Sequence, residues 1–158
     1  MDKAALERML VEVVYNVFST TFFSLVEECP DPPCEECGDV YHGMISFHDG
    51  EWGSLDVVIS HEFARNVAMD FLGKTEDEPL EESEIADVCG EITNIIGGDI
   101  STKLSDLTGE YWKLSIPKVE RKDQCPPLHF EDPNHITVFF QNVYENKFFV
   151  HLAVRREL

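Results

Sequence analysis

The chain has 158 residues, enough for one domain with a core of its own and too few to suggest two. A hydrophobic share of 43% with 27% charged residues is that of a globular protein, not a disordered or membrane-embedded one. A formal charge of -19, with only 12 Lys and Arg, repels phosphate backbones and anionic lipid, so nucleic-acid and membrane binding are set aside.

The N-terminal MDKAALERML has no basic segment followed by an unbroken apolar run, and the apolar region 9–26 is interrupted by Glu12 and Asn16. A cytoplasmic protein is expected. Residues 3 to about 19 place Leu6, Met9, Leu10, Val13, Val14 and Val17 at three- and four-residue spacing, which predicts a helix with one core face. The TTFFSLVEE that follows is β-branched and aromatic, and its periodicity does not decide between more helix and an exit from it. Prolines in PDPPCEECGD then force a surface loop.

Five cysteines exclude a complete disulfide framework and agree with a reducing compartment. Cys34 and Cys37 have the C-x2-C spacing of half a zinc site, and Cys29 is a third thiolate nearby. No second C-x2-C or H-x3-H pair completes it, so free thiols in a Pro-rich loop are the expectation and metal or redox sensing the alternative.

Residues 39–48 and 53–60 flank the turn sequence DGEWG and predict a hairpin. A helix over 61–73 follows, with Phe63, Val67, Ala68 and Phe71 on one face and Gly73 as its stop. An acidic linker, KTEDEPLEESE, leads into a long helix of residues 80 to about 107, whose start the acids favour through the macrodipole. YWKLSIPKVE reads as a strand interrupted by Pro117, hence at a sheet edge. CPPLHFEDPN is a loop, and HITVFFQNV and KFFVHLAVRR form a second hairpin joined by YEN. Strands in adjacent runs, not alternating with helices, indicate an α+β domain over 1–158: an antiparallel sheet with helices packed on a face.

The long helix carries the chemistry. At about 100° per residue, Ile85, Val88, Cys89, Ile92, Ile95 and Ile96 share an apolar arc, while Asp87, Glu91 and Asn94 fall on the other side and Gly98 and Ser101 prolong their line. Gly90, Gly97 and Gly98 each cost about 0.8–1 kcal/mol relative to Ala inside a helix, which a merely solvated face has no reason to bear. A glycine beside a polar line lets a partner's backbone approach, so the face is read as a docking surface containing Gly90, Gly98 and Ser101. An amide has no proton to transfer, so Asn94 is not an acid or base, but it can orient a water; Glu91 can pair with a partner's lysine.

Asp87, Glu91, Asn94 and Pro117 are spaced as Asp, three residues, Glu, two residues, Asn, twenty-two residues, Pro. In this spacing, and in GEITNIIGGDISTKL and LSIPKV around it, the chain resembles the CheC/CheX/FliY family of chemotaxis response-regulator phosphatases. CheC-like members carry the motif twice, whereas here the first helix has Glu12 but Tyr15 where Asn is required and Gly38 where the proline would fall, so the resemblance is to CheX. It implies a CheC/CheX-like fold and hydrolysis of the aspartyl phosphate on a CheY-like receiver domain. Glu91 would dock on the receiver's lysine and Asn94 would place the attacking water. Asp87 is expected to set the helix start or neighbouring side chains, and Pro117 to shape the adjacent strand. No cofactor or metal is expected on this chain, since the receiver would bring Mg2+. The resemblance also implies a homodimer formed through sheet edges, for which the apolar C-terminal hairpin is suited unless its residues fill the monomer core. The alternative of another class is a non-catalytic module that binds a receiver or a motor component through the same face.

Overall fold

A computed structural model describes residues 2–29, 38–126 and 134–158. Helix α1 (Lys3–Thr20) is followed by strands β1 (Val26–Glu28), β2 (Val40–Phe47) and β3 (Gly53–Ser60), then helices α2 (His61–Leu72) and α3 (Glu82–Thr108). Strands β4 (Lys118–Lys122), β5 (His135–Asn142) and β6 (Lys147–Val154) complete the order.

Each helix begins where its sequence supplies a cap, and α2 and α3 end at a glycine. Asp2 accepts a hydrogen bond from the Ala5 amide at 2.7 Å, and the Ser60 hydroxyl accepts one from Phe63 at 3.3 Å. α3 starts with a capping box in which the Glu81 side chain accepts from the third helical residue and the Glu84 carboxylate accepts from the Glu81 amide at 2.9 Å. The Glu84 carboxyl is held below the ordinary glutamate range, first by that backbone hydrogen bond and then by Lys74, whose ammonium donates to it at 2.9 Å. Gly73 and Gly109 close α2 and α3 in the left-handed conformation, at φ 66° and 72°.

The six described strands form one antiparallel sheet in the order β1-β5-β6-β3-β2-β4. Period-two alternation sends Tyr41, Ile45, Phe47, Leu55, Val57, Ile59, Ile136, Val138, Phe140, Phe148, Val150 and Leu152 to one face, where all are buried in a single core with the helices. α1 packs on β5 and β1, α2 on β3 and β2, and α3 on β2, β3 and β4. The predicted α+β layering is therefore the observed one.

The differences are local. β1 is a three-residue strand that the ambiguous TTFFSLVEE segment did not announce; Phe23, at φ 52°, lies in the turn that leads to it. The strand predicted around Pro117 is regular only after the proline, from Lys118, and it does lie at the sheet edge. In the C-terminal hairpin Phe140, Val150 and Leu152 are fully buried in the core, Phe149 packs with Val40 and Val58 in a second cluster that the partly buried Phe139 adjoins, and Val143 and Tyr144 at the hairpin turn are exposed. Cys125 is disulfide-bonded, against the expectation of reduced thiols: an odd cysteine count excludes a complete framework but not a single bridge.

Candidate functional site

Helix α3 lies across the sheet edge because two small residues let it down. A Cβ on Gly43 of β2 would stand 2.0 Å from the Oγ1 of Thr93, a fully buried side chain whose hydroxyl donates to the Cys89 carbonyl at 2.8 Å. A Cβ on Gly97 would meet Ile45 at 3.0 Å and Leu114 at 3.5 Å, and one on Gly90 would meet Val119 at 3.6 Å. Gly97 therefore serves helix-to-sheet approach inside the protein, and Gly90 adjoins β4. Gly98 alone of the three helical glycines opens on empty space.

Asp87, Glu91 and Asn94 are exposed, and their side chains make no hydrogen bond or ion pair among the described residues. The helix starts five residues before Asp87, with Glu81 as cap, so Asp87 does not set the helix start as expected; it stands in line with Glu91. Ser101 does not continue that line. It is 6% exposed, and its hydroxyl donates to the Trp112 carbonyl at 2.5 Å. Together with Ser105, which accepts from the Trp112 amide at 3.1 Å, and Thr108, which accepts from the indole Nε1 at 3.0 Å, it clasps the fully buried Trp112 against the helix. Hydroxyls at these spacings share one helix face.

That clasp explains the twenty-two-residue interval to the proline. After Thr108 the chain reverses at Gly109, is pinned at Trp112, and returns along α3: Leu114 lies beside Gly97 and Val119 beside Gly90. Pro117 falls between those two contacts. Asn94 is between the same two glycines and only about 40–60° around the helix from them, so the proline segment runs alongside the amide. A serine in a buried hydroxyl clasp is the feature that helical periodicity misread, since it assigned Ser101 by angle without the return strand that covers it.

The basic side chains of β4 are committed to acids. Arg121 pairs with Glu82 and with Asp39, Lys118 pairs with Glu120 at 3.0 Å, and Lys122 reaches both Glu120 and His42. The Lys118 hydrogen bond holds the Glu120 carboxyl low. On the buried side of α3, burial pushes the Cys89 thiol up to about 12, so it is an inert packing group. Among the described residues no cluster of three or more His, Cys, Asp or Glu is arranged to hold a metal. Cys29 is buried, while Cys34 and Cys37 lie outside the described residues. A groove of about 780 Å³ between the α1–β1 turn, α2 and the β5–β6 turn contains none of the motif residues. What α3 presents here is an exposed face bearing two carboxylates and an amide.

Residues 41–140, well over half of the chain, match the family model described as chemotaxis phosphatase CheX. The chain belongs to the CheX family. Solved structures of CheX proteins share its fold: that of Desulfovibrio desulfuricans at TM-score 0.74 and 21% identity, over 95% of this chain and 99% of that one. CheX of Vibrio vulnificus matches at 0.72 and 21%, over 92% and 93%. A structure of the CheX–CheY–BeF3–Mg2+ complex from Borrelia burgdorferi matches at 0.66 and 15%, over 94% and 97%. A comparison with curated protein sequences gives no match. No helix among the described residues of this CheX-family chain is long and apolar enough to cross a membrane.

Proposed function

We propose that this chain removes the aspartyl phosphate from a CheY-like receiver domain, with Glu91 docking the receiver and Asn94 placing the attacking water. The observation that carries this reading is the display of Glu91 and Asn94, exposed and without partners, on a helix face flanked by the proline segment. In the reaction, a water lone pair attacks phosphorus in line, the bond from phosphorus to the aspartyl oxygen breaks, and inorganic phosphate and a free carboxylate result. An amide suffices for this chain's share, because orienting a water is worth much of the barrier when both reactants are held in place. Charge on the phosphoryl oxygens falls to Mg2+ and the lysine of the receiver, which suits a face whose neighbouring cations are already paired with acids. The Borrelia relative, crystallised with CheY, BeF3 and Mg2+, supports a partner of this class.

A cytoplasmic homodimer joined through a sheet edge belongs to the same proposal, with β1 and β4 as the two edges at which a second copy can add. The docking step is tested by binding of a receiver loaded with beryllofluoride and Mg2+. Wild type and Asn94→Ala bind with similar affinity, whereas Glu91→Lys sets an ammonium against the receiver's lysine and loses binding. Wild-type affinity in Glu91→Lys would remove Glu91 from the docking role.

A further inference from the structure

The segment that runs alongside Asn94 carries the most exposed large apolar side chain in the described chain, Ile116, at 90%. It is not a loose residue. Leu114 bridges to Phe47, the Ser115 amide donates to the Ser46 carbonyl at 2.9 Å, the Ser115 hydroxyl accepts from the Ser46 amide at 2.9 Å, and from Lys118 the chain is paired with β2. Between the Phe47–Leu114 and Met44–Lys118 pairs the outer chain has one residue more than β2, so Ile116 stands on a bulge that turns it out of the sheet. Pro117 stiffens its C-terminal side, and the Trp112 clasp anchors its approach. A fixed isoleucine held in water beside the amide has a cost in hydration that nothing within the chain recovers.

We propose that Ile116 is an apolar docking contact for the receiver domain, seating it so that its phosphoryl group meets Asn94. This rests on the function proposed above. The occupant follows from continuity: a body whose cation pairs with Glu91 and whose phosphoryl group reaches Asn94 must also pass over the strand that flanks Asn94. Gly98, open above the same helix, leaves room for it. Ile116 is a positioning residue whose contribution is to affinity, with no part in the chemical step, because its contact is complete before water attacks.

The test measures affinity for a beryllofluoride- and Mg2+-loaded receiver, and KM and kcat for release of phosphate from the phosphorylated receiver. Burial of an isoleucine predicts that Ile116→Ser weakens binding and raises KM roughly ten- to hundredfold, with kcat at saturation and the melting temperature unchanged. Ile116→Leu restores most of the affinity. Tyr111→Ser removes another exposed apolar group, 73% exposed, close to the end of α3, and leaves KM as in wild type. Unchanged affinity and KM in Ile116→Ser, or an equal loss in Tyr111→Ser, would overturn the proposal. A wild type that binds the loaded receiver but does not release phosphate would refute the phosphatase reading, while the affinity comparison would still decide the role of Ile116.

Discussion

Replacing Gly43 by alanine puts one methyl group where helix α3 meets the sheet, and the consequence is calculable. The new Cβ would lie 2.0 Å from Thr93 Oγ1, 3.0 Å from its Cβ and 3.2 Å from its Cγ2, so a rotation about χ1 only exchanges one clash for another. Thr93 is fully buried and belongs to the turn of helix that carries Glu91 and Asn94, so the helix itself must shift. Overpacking of this kind costs about 1–3 kcal/mol, which at roughly 2–4 °C per kcal/mol for a chain of this size lowers the melting temperature by about 2–12 °C. Thermal or urea unfolding of Gly43→Ala, Thr93→Ala and the double variant checks the cause. Thr93→Ala removes the 2.0 and 3.2 Å contacts, so the double variant should lose about 1 kcal/mol less than the sum of the single losses. Strict additivity would refute the claim that these two residues set the height of α3. Below the melting range Gly43→Ala should also release phosphate more slowly, because a displacement of a few tenths of an ångström is passed directly to Asn94.

Gly98→Ala has the opposite sign for stability: with open space around its Cβ it gains about 0.8–1 kcal/mol of helix propensity, seen as a rise in melting temperature, and it weakens receiver binding if the face docks as proposed. A drop in melting temperature would contradict the first half of that prediction. Ser101→Ala leaves the buried Trp112 carbonyl without its donor and costs about 1–3 kcal/mol in urea unfolding, while receiver affinity measured on the folded protein stays near wild type. Glu84 titrates below its ordinary value of 4.5 in the folded chain, so its contribution is present above pH 4.5 and is lost as pH falls through the depressed folded value. Melting curves of wild type and Glu84→Gln should therefore differ at neutral pH and converge in acid; a constant gap down to about pH 3, below the unfolded glutamate range, would contradict the assignment.

The elements that stood out in the sequence were those whose information is local. α1, α2 and α3 are set by three- and four-residue apolar spacing and by caps only a few residues away, and the β2–β3 and β5–β6 hairpins by turns between alternating runs. What escaped depends on residues far apart in the chain. Gly43 is an unremarked strand glycine until Thr93, fifty positions later, is placed on it, and Ser101 looks like a surface residue until Trp112 folds back over it. β1 has three residues and exists because β5 supplies its partner. The candidate site was legible through residue types at fixed spacing, Glu91, Asn94 and Pro117, but their juxtaposition required the return strand, and Ile116 carried no signal before its exposure was known. The glycines show the same limit: one chemical argument covered all three, while the fold uses Gly97 for internal packing and leaves Gly98 open.

The central claim is that Asn94 places a water on a phosphoryl group held by another protein. Its most direct test is the first-order loss of phosphate from a phosphorylated receiver under saturating amounts of this protein, wild type against Asn94→Ala, with binding of both confirmed in the same samples. Wild type should accelerate the loss well beyond the receiver's own rate, and Asn94→Ala should bind and return the rate to near that baseline. Equal acceleration by the two proteins would contradict the account.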